Sequence, residues 1–162
     1  MLFTARIWFT LGFFSCFGML LVGAYFQFVE ELEPCPLCIS QRIAILLTGM
    51  VFLIAALYNP QTTGRRIYAI LGTFTALAGG AISIRHLWLQ NLPPDQVPEC
   101  GPGLPYVFEN FPLSETIRVM LSGTGECADV LWVFLGLSIP GWTLVAFLML
   151  AGLSLLQFWN CK

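Results

Sequence analysis

Apolar positions in this chain run in long unbroken blocks, with neither the period-2 alternation of a half-buried strand nor the narrow stripe of a soluble helix. Residues 7–29 are 23 positions without a charge. At 1.5 Å per residue, a helix of that length reaches across the roughly 30 Å hydrocarbon core of a bilayer. The run exceeds the ~7–15-residue apolar region of a secretory signal, and no small-x-small cleavage pattern follows it, so it reads as a retained first span. A second block, 39–58, carries Arg42 near its start and stops at Asn59-Pro60. A third, 67–89, is uncharged until Arg85. Residues 130–161 are uncharged over 32 positions, but Pro140-Gly141 interrupts them. The piece before the break is too short to cross. Residues 130–139 are therefore expected to lie along the interface on Trp132 and Phe134, with 142–159 as the fourth span and Trp159 at its far end.

The pattern predicts an all-α membrane protein with one domain over 1–162: a four-transmembrane-helix bundle with short interfacial helices. The loops at about 30–38 and 90–141 fall on one side. Within the second loop, 91–105 is rich in Pro and Gly and reads as irregular. Residues 112–121 put Leu113, Ile117, Met120 and Leu121 on one helical face, which suits a short helix lying on the membrane or capping the bundle.

Composition supports the bilayer. The chain is 57% hydrophobic and 10% charged, with mean hydropathy +0.80, against about 25% charged residues in soluble domains. A net charge of −2 provides no basic surface for nucleic acid. Arg6, Arg65, Arg66 and Lys162 fall on one side of the membrane without acids, whereas all nine acids lie at 30–33 or 95–129. The basic residues alone are nearly balanced, since Arg42, Arg85 and Arg118 lie on the acidic side. The acid-free 59–66 turn with its two arginines sets the expectation: termini in the cytoplasm, acidic loops outside. Cys35, Cys38, Cys100 and Cys127 then share the oxidising side.

These cysteines carry the candidate chemistry. Cys35-Pro-Leu-Cys38 lets two sulfurs meet in one turn, and Cys38 falls near a helix start, where free N–H groups favour a thiolate. Arg42 follows one helical turn later and would favour the anion further. The same residues also suit a structural disulfide or half a zinc site, with Arg42 as a snorkelling interface anchor. A four-cysteine zinc site usually wants a second Cys-x-x-Cys knuckle, which Cys100 and Cys127 do not form, so no metal is expected. As a staple those two would add roughly 3–4 kcal/mol. Gly101, Gly103, Gly123 and Gly125 around them suit instead a disulfide that opens and re-forms. His86, the only histidine, sits at the outer end of the third span, as a donor to a bound acceptor or as a residue without a role. Cys16 and Cys161 read as buried or cytoplasmic free thiols.

PCPLCISQR, RHLWLQ with His86, Cys100, and SGTGECADVLWVFLGLSIPGW together resemble one family along almost the whole chain: DsbB, the bacterial inner-membrane disulfide bond formation proteins that reduce quinone. The resemblance implies that Cys100–Cys127 takes electrons from a periplasmic DsbA-like thioredoxin-fold protein, whose thiolate attacks Cys100. Cys127 then attacks Cys35 of the Cys35–Cys38 disulfide and releases Cys38 toward ubiquinone or menaquinone. Arg42 stabilises the Cys38 thiolate and orients the quinone, with His86 close by. The rival expectations are a four-span protein with a four-cysteine metal site, and one whose outer loops are merely stapled.

Overall fold

A computed structural model of the chain describes residues 2–98, 106 and 109–159. Cys100 and Cys161, and residues 99–105 of the Pro- and Gly-rich segment, lie outside the described residues. Among the described residues four long helices form, α1 (Leu2–Phe28), α2 (Pro36–Tyr58), α3 (Thr62–Gln90) and α5 (Ile139–Trp159), with the short α4 (Leu113–Ser122) between the last two. All four long helices are apolar enough to cross a membrane. Their outward faces carry Phe14, Leu21, Leu47, Phe74, Leu77, Leu148 and Met149, all exposed. Contiguous apolar surface of that kind suits lipid rather than water. The all-α four-span expectation therefore holds.

Two helix starts depart from the sequence reading because of proline. Proline lacks an N–H, but the first turn of a helix has no acceptor for that group, so proline is tolerated there. Pro36 accordingly opens α2 three residues earlier than expected, and Pro140 sits inside the first turn of α5. The expected break at Pro140-Gly141 is thus a helix start at Ile139. Residues 130–139, expected along the interface, have a regular structure that the sequence reading did not specify. They contain an antiparallel hairpin, β1 (Val133–Phe134) with β2 (Leu137–Ser138), in register Val133↔Ser138. Its two turn residues, Leu135 (φ 51) and Gly136 (φ 80), both take the positive φ of a type I′ turn. The helix expected at 112–121 is α4.

Small residues let the helices approach. On α3, Ala69, Gly72, Ala76, Gly79, Gly80 and Ser83 recur at helical spacing and are buried, mainly against α5 and α2. Close backbone approach of this kind drives helix association where lipid removes the hydrophobic gain. A Cβ on Gly79 would run into the Phe147 ring, whereas one on Gly152 meets nothing. Gly79→Val is therefore expected to destabilise the bundle by about 1–3 kcal/mol. Thermal unfolding in detergent should show a clear drop for Gly79→Val and none for Gly152→Ala. At the far end of the bundle, Arg65 donates to Gln157 Oε1 (2.8 Å) and ties α3 to α5.

Candidate functional site: a buried thiol cluster beside a membrane cavity

Cys35 caps the N-terminus of α2, and its sulfur accepts from the Cys38 backbone N–H (3.4 Å). The Cys-x-x-Cys spacing brings the two sulfurs to 3.1 Å, as free thiols. Cys127 arrives from a distant 3₁₀ turn, Gly125–Ala128. Two local features bring that turn in. Ser40 on α2 donates to the Met120 carbonyl at the end of α4 (2.9 Å). Gly123 follows at φ 79, where a Cβ would lie 2.7 Å from both Leu37 and Leu89, so only glycine lets the chain close onto α2 and α3 here. Cys35, Leu37, Leu89 and Cys127 form one buried cluster, with Cys127 fully enclosed.

Electrostatics in this cluster are unequal. The contact with Cys35 draws the Cys127 thiol down to about 6; burial opposes this, and the backbone at Leu37 and Thr124 reinforces it. Cys35 is pushed well above an ordinary thiol, first by Cys127, then by Cys38 and burial. Within this pair, negative charge is favoured on Cys127 over Cys35.

Cys38 faces the other way. It lines a cavity of ≈520 Å³ between α1, α2 and α5, together with Gln41, Arg42, Ile45, Trp142 and Thr143. That volume lies within the ~300–1,000 Å³ usual for small-molecule sites. Its lining is overwhelmingly apolar; Glu33, Gln41, Arg42 and Thr143 are the polar side chains that join Cys38 there. Arg42 does not extend along the interface: it turns onto α1, donating to Gln27 Oε1 and to the Gly23 carbonyl (2.7 Å). The hairpin supplies the outer wall, with Trp132 packed on Phe26 (centroids 5.2 Å) and Trp142 donating to the Phe134 carbonyl (3.0 Å).

His86 is not among the residues lining this cavity. It lies on the buried face of α3, with Nε2 3.8 Å from the Cys35 sulfur and Nδ1 3.3 Å from the side-chain nitrogen of Gln41. Gln41 is the residue that sequence reasoning passed over. It is buried, touches the cavity on one side and His86 on the other, and accepts from Thr143 Oγ1 (3.1 Å). The available signal was an amide within an apolar span, on the same helical face as Ala44, Ile45 and Thr48. Cys16 is a buried free thiol against Gly49, remote from this chemistry.

The family model for "Disulfide bond formation protein DsbB" matches residues 5–157. The chain belongs to the DsbB family. Among curated relatives, a disulfide bond formation protein B from Methylococcus capsulatus is 58% identical over 98% of this chain and 97% of its own length. Proteins of the same name from Nitrosococcus oceani and Hahella chejuensis are 60% and 59% identical over 92% and 90% of this chain, and 88% of their own lengths. This DsbB-family chain is thus a multi-pass membrane protein of disulfide bond formation. That membership sets aside the stapled-loop and four-cysteine-zinc readings as its function.

Proposed function

We propose that this protein oxidises the dithiol of a periplasmic, DsbA-like thioredoxin-fold protein and passes the electron pair to ubiquinone or menaquinone in the bacterial inner membrane. The observation that carries the reading is the position of Cys35: its sulfur lies in the buried cluster with Cys127, while its neighbour Cys38 opens on the membrane cavity. One Cys-x-x-Cys turn thereby joins a protein-facing thiol to a lipid-facing one.

In the cycle we infer, a partner thiolate attacks Cys100 of a Cys100–Cys127 disulfide and displaces Cys127 as a thiolate. Cys127 attacks Cys35 of the Cys35–Cys38 disulfide; the Cys127–Cys35 bond forms, the Cys35–Cys38 bond breaks, and Cys38 leaves as a thiolate at the cavity wall. The partner's second thiol displaces Cys100 from the mixed disulfide, and the oxidised partner departs. Cys100 then displaces Cys35 from Cys127, restoring the first disulfide. Re-forming the Cys35–Cys38 disulfide releases two electrons and two protons, which a quinone bound at the cavity takes up as its quinol. Arg42 supplies positive charge beside Cys38, and the apolar lining excludes water from the leaving thiolate.

Arg65 and Arg66 at the start of α3 and the acid-rich loops at the other ends of the spans support an orientation with Cys35 and Cys127 outside. One experiment addresses activity and orientation together. Right-side-out spheroplasts of a host lacking its own thiol oxidase, expressing this protein, are given reduced DsbA-like protein outside. Quinone-dependent oxidation of that partner is expected, and none in inverted vesicles. Absence of oxidation in both preparations would overturn the reading; oxidation in inverted vesicles alone would overturn the orientation.

A further inference from the structure

Cys35 Sγ, His86 Nε2 and Cys127 Sγ come from three separate elements, yet all three atoms lie within 4.8 Å of one another, and all three residues are buried. A tetrahedral zinc ion, with Zn–S near 2.3 Å and Zn–N near 2.0–2.1 Å, separates its ligand atoms by about 3.5–3.8 Å. The Cys35–His86 pair already stands at 3.8 Å. We propose that the dithiol form of this protein binds one thiophilic divalent cation, Zn²⁺ above all, through Cys35, His86 and Cys127, and that occupancy blocks thiol exchange. The blocking role rests on the function proposed above; the binding does not.

The surroundings suit the ion. Two thiolates and a neutral imidazole cancel the charge of Zn²⁺, so burial costs little by comparison with an isolated ion. Cys38, 3.1 Å from Cys35, is in reach of the fourth position through the usual Cys-x-x-Cys knuckle. A metal-bound histidine needs an acceptor for its other ring N–H. Gln41 stands at Nδ1, and turning its amide over presents Oε1 there and its NH₂ to Thr143 Oγ1. The Thr143 hydroxyl then has the Pro140 carbonyl (2.9 Å) to donate to. Both sulfurs bind as thiolates, so binding releases to solvent whatever protons the two thiols still carry, and it needs no oxidant. Any disulfide that consumes Cys35 or Cys127 removes a ligand, so uptake is confined to the reduced protein.

The test is an anaerobic titration of chelator-stripped, reduced full-length protein in detergent, first with Co²⁺, then with Zn²⁺. One Co²⁺ per chain is expected, with thiolate-to-cobalt charge transfer and tetrahedral visible bands that Zn²⁺ abolishes. Oxidised protein should take none. Gln41→Leu should weaken uptake about 10- to 100-fold, as loss of an outer-shell partner does, and Cys127→Ser or His86→Ala by at least about tenfold. Cys16→Ser should bind as wild type. Helical circular dichroism accompanies each variant; where His86→Ala loses helix, His86→Gln replaces it. No stoichiometric uptake by reduced wild type, or wild-type uptake in both Cys127→Ser and His86→Ala, would overturn the site. Loss of uptake in Cys100→Ser would assign the metal to the four loop cysteines and overturn this ligand set. Uptake is read without turnover, so failure of the electron-transfer reading leaves it standing. Uptake with unaltered turnover would overturn the blocking role.

Discussion

Cys127→Ser is expected to bring steady-state oxidation of the partner to background, while Cys16→Ser leaves it near the wild-type rate. The first substitution removes the thiol that lies with Cys35 in the buried cluster, so electrons arriving at the outer loop have no route to the Cys-x-x-Cys pair. A serine hydroxyl is no substitute, since only a thiolate attacks a disulfide at useful rates. Cys38→Ser should fail differently. The outer disulfide there still accepts one electron pair, so one equivalent of partner is oxidised and the reaction stops. Cys127→Ser should oxidise none. Counting partner thiols after a stoichiometric mix separates the two outcomes. Cys16 is buried in the α1–α2 contact, where a serine can donate to a carbonyl of the preceding helical turn. Steady turnover by Cys127→Ser would place the relay elsewhere, and loss of turnover in Cys16→Ser would show a redox thiol misassigned.

Arg42→Gln should raise the apparent KM for quinone by about 10- to 100-fold, with Arg42→Lys in between. The guanidinium stands in the cavity wall beside Cys38 and is held there by two α1 acceptors, Gln27 Oε1 and the Gly23 carbonyl. Hydrogen bonds involving a charged group contribute roughly 1.5–3 kcal/mol, and each 1.4 kcal/mol is about tenfold in affinity. Lysine keeps the charge but cannot span two acceptors with a rigid fork. Glutamine loses both. Turnover measured across quinone concentrations separates a ligand role from a clamp role. If Arg42→Gln lowers thermal stability but keeps the wild-type KM, the residue serves only to pin α2 to α1.

By itself, the sequence determined the membrane architecture. Span number follows from uncharged length, and length is a property of the chain alone; the four blocks became α1, α2, α3 and α5. Span edges were less legible, because a proline reads as a break in sequence and as a first-turn residue in a helix, as Pro36 and Pro140 show. The hairpin at 133–138 escaped because its turn is Leu135-Gly136, with a leucine where an asparagine or aspartate would have marked it.

The candidate cysteines were legible too, through their spacing and the family resemblance, although Cys100 lies outside the described residues. Which neighbours surround Cys35, Cys38 and Cys127 was decided by tertiary structure. Cys127 reaches Cys35 because Gly123 turns and Ser40 holds the end of α4, contacts between segments far apart in sequence. His86 was expected close to the Cys38 end of the site, and the packing of α3 sets it against Cys35 and against Gln41, which lines the cavity. Gln41, a polar residue between two more conspicuous ones, became a bridge between cavity and histidine only when α2 and α3 packed. Composition and periodicity fix how a segment meets lipid, because that depends on each residue's own chemistry. They leave open which helix faces meet, because that depends on how small residues such as Gly72 and Gly79 let particular backbones approach.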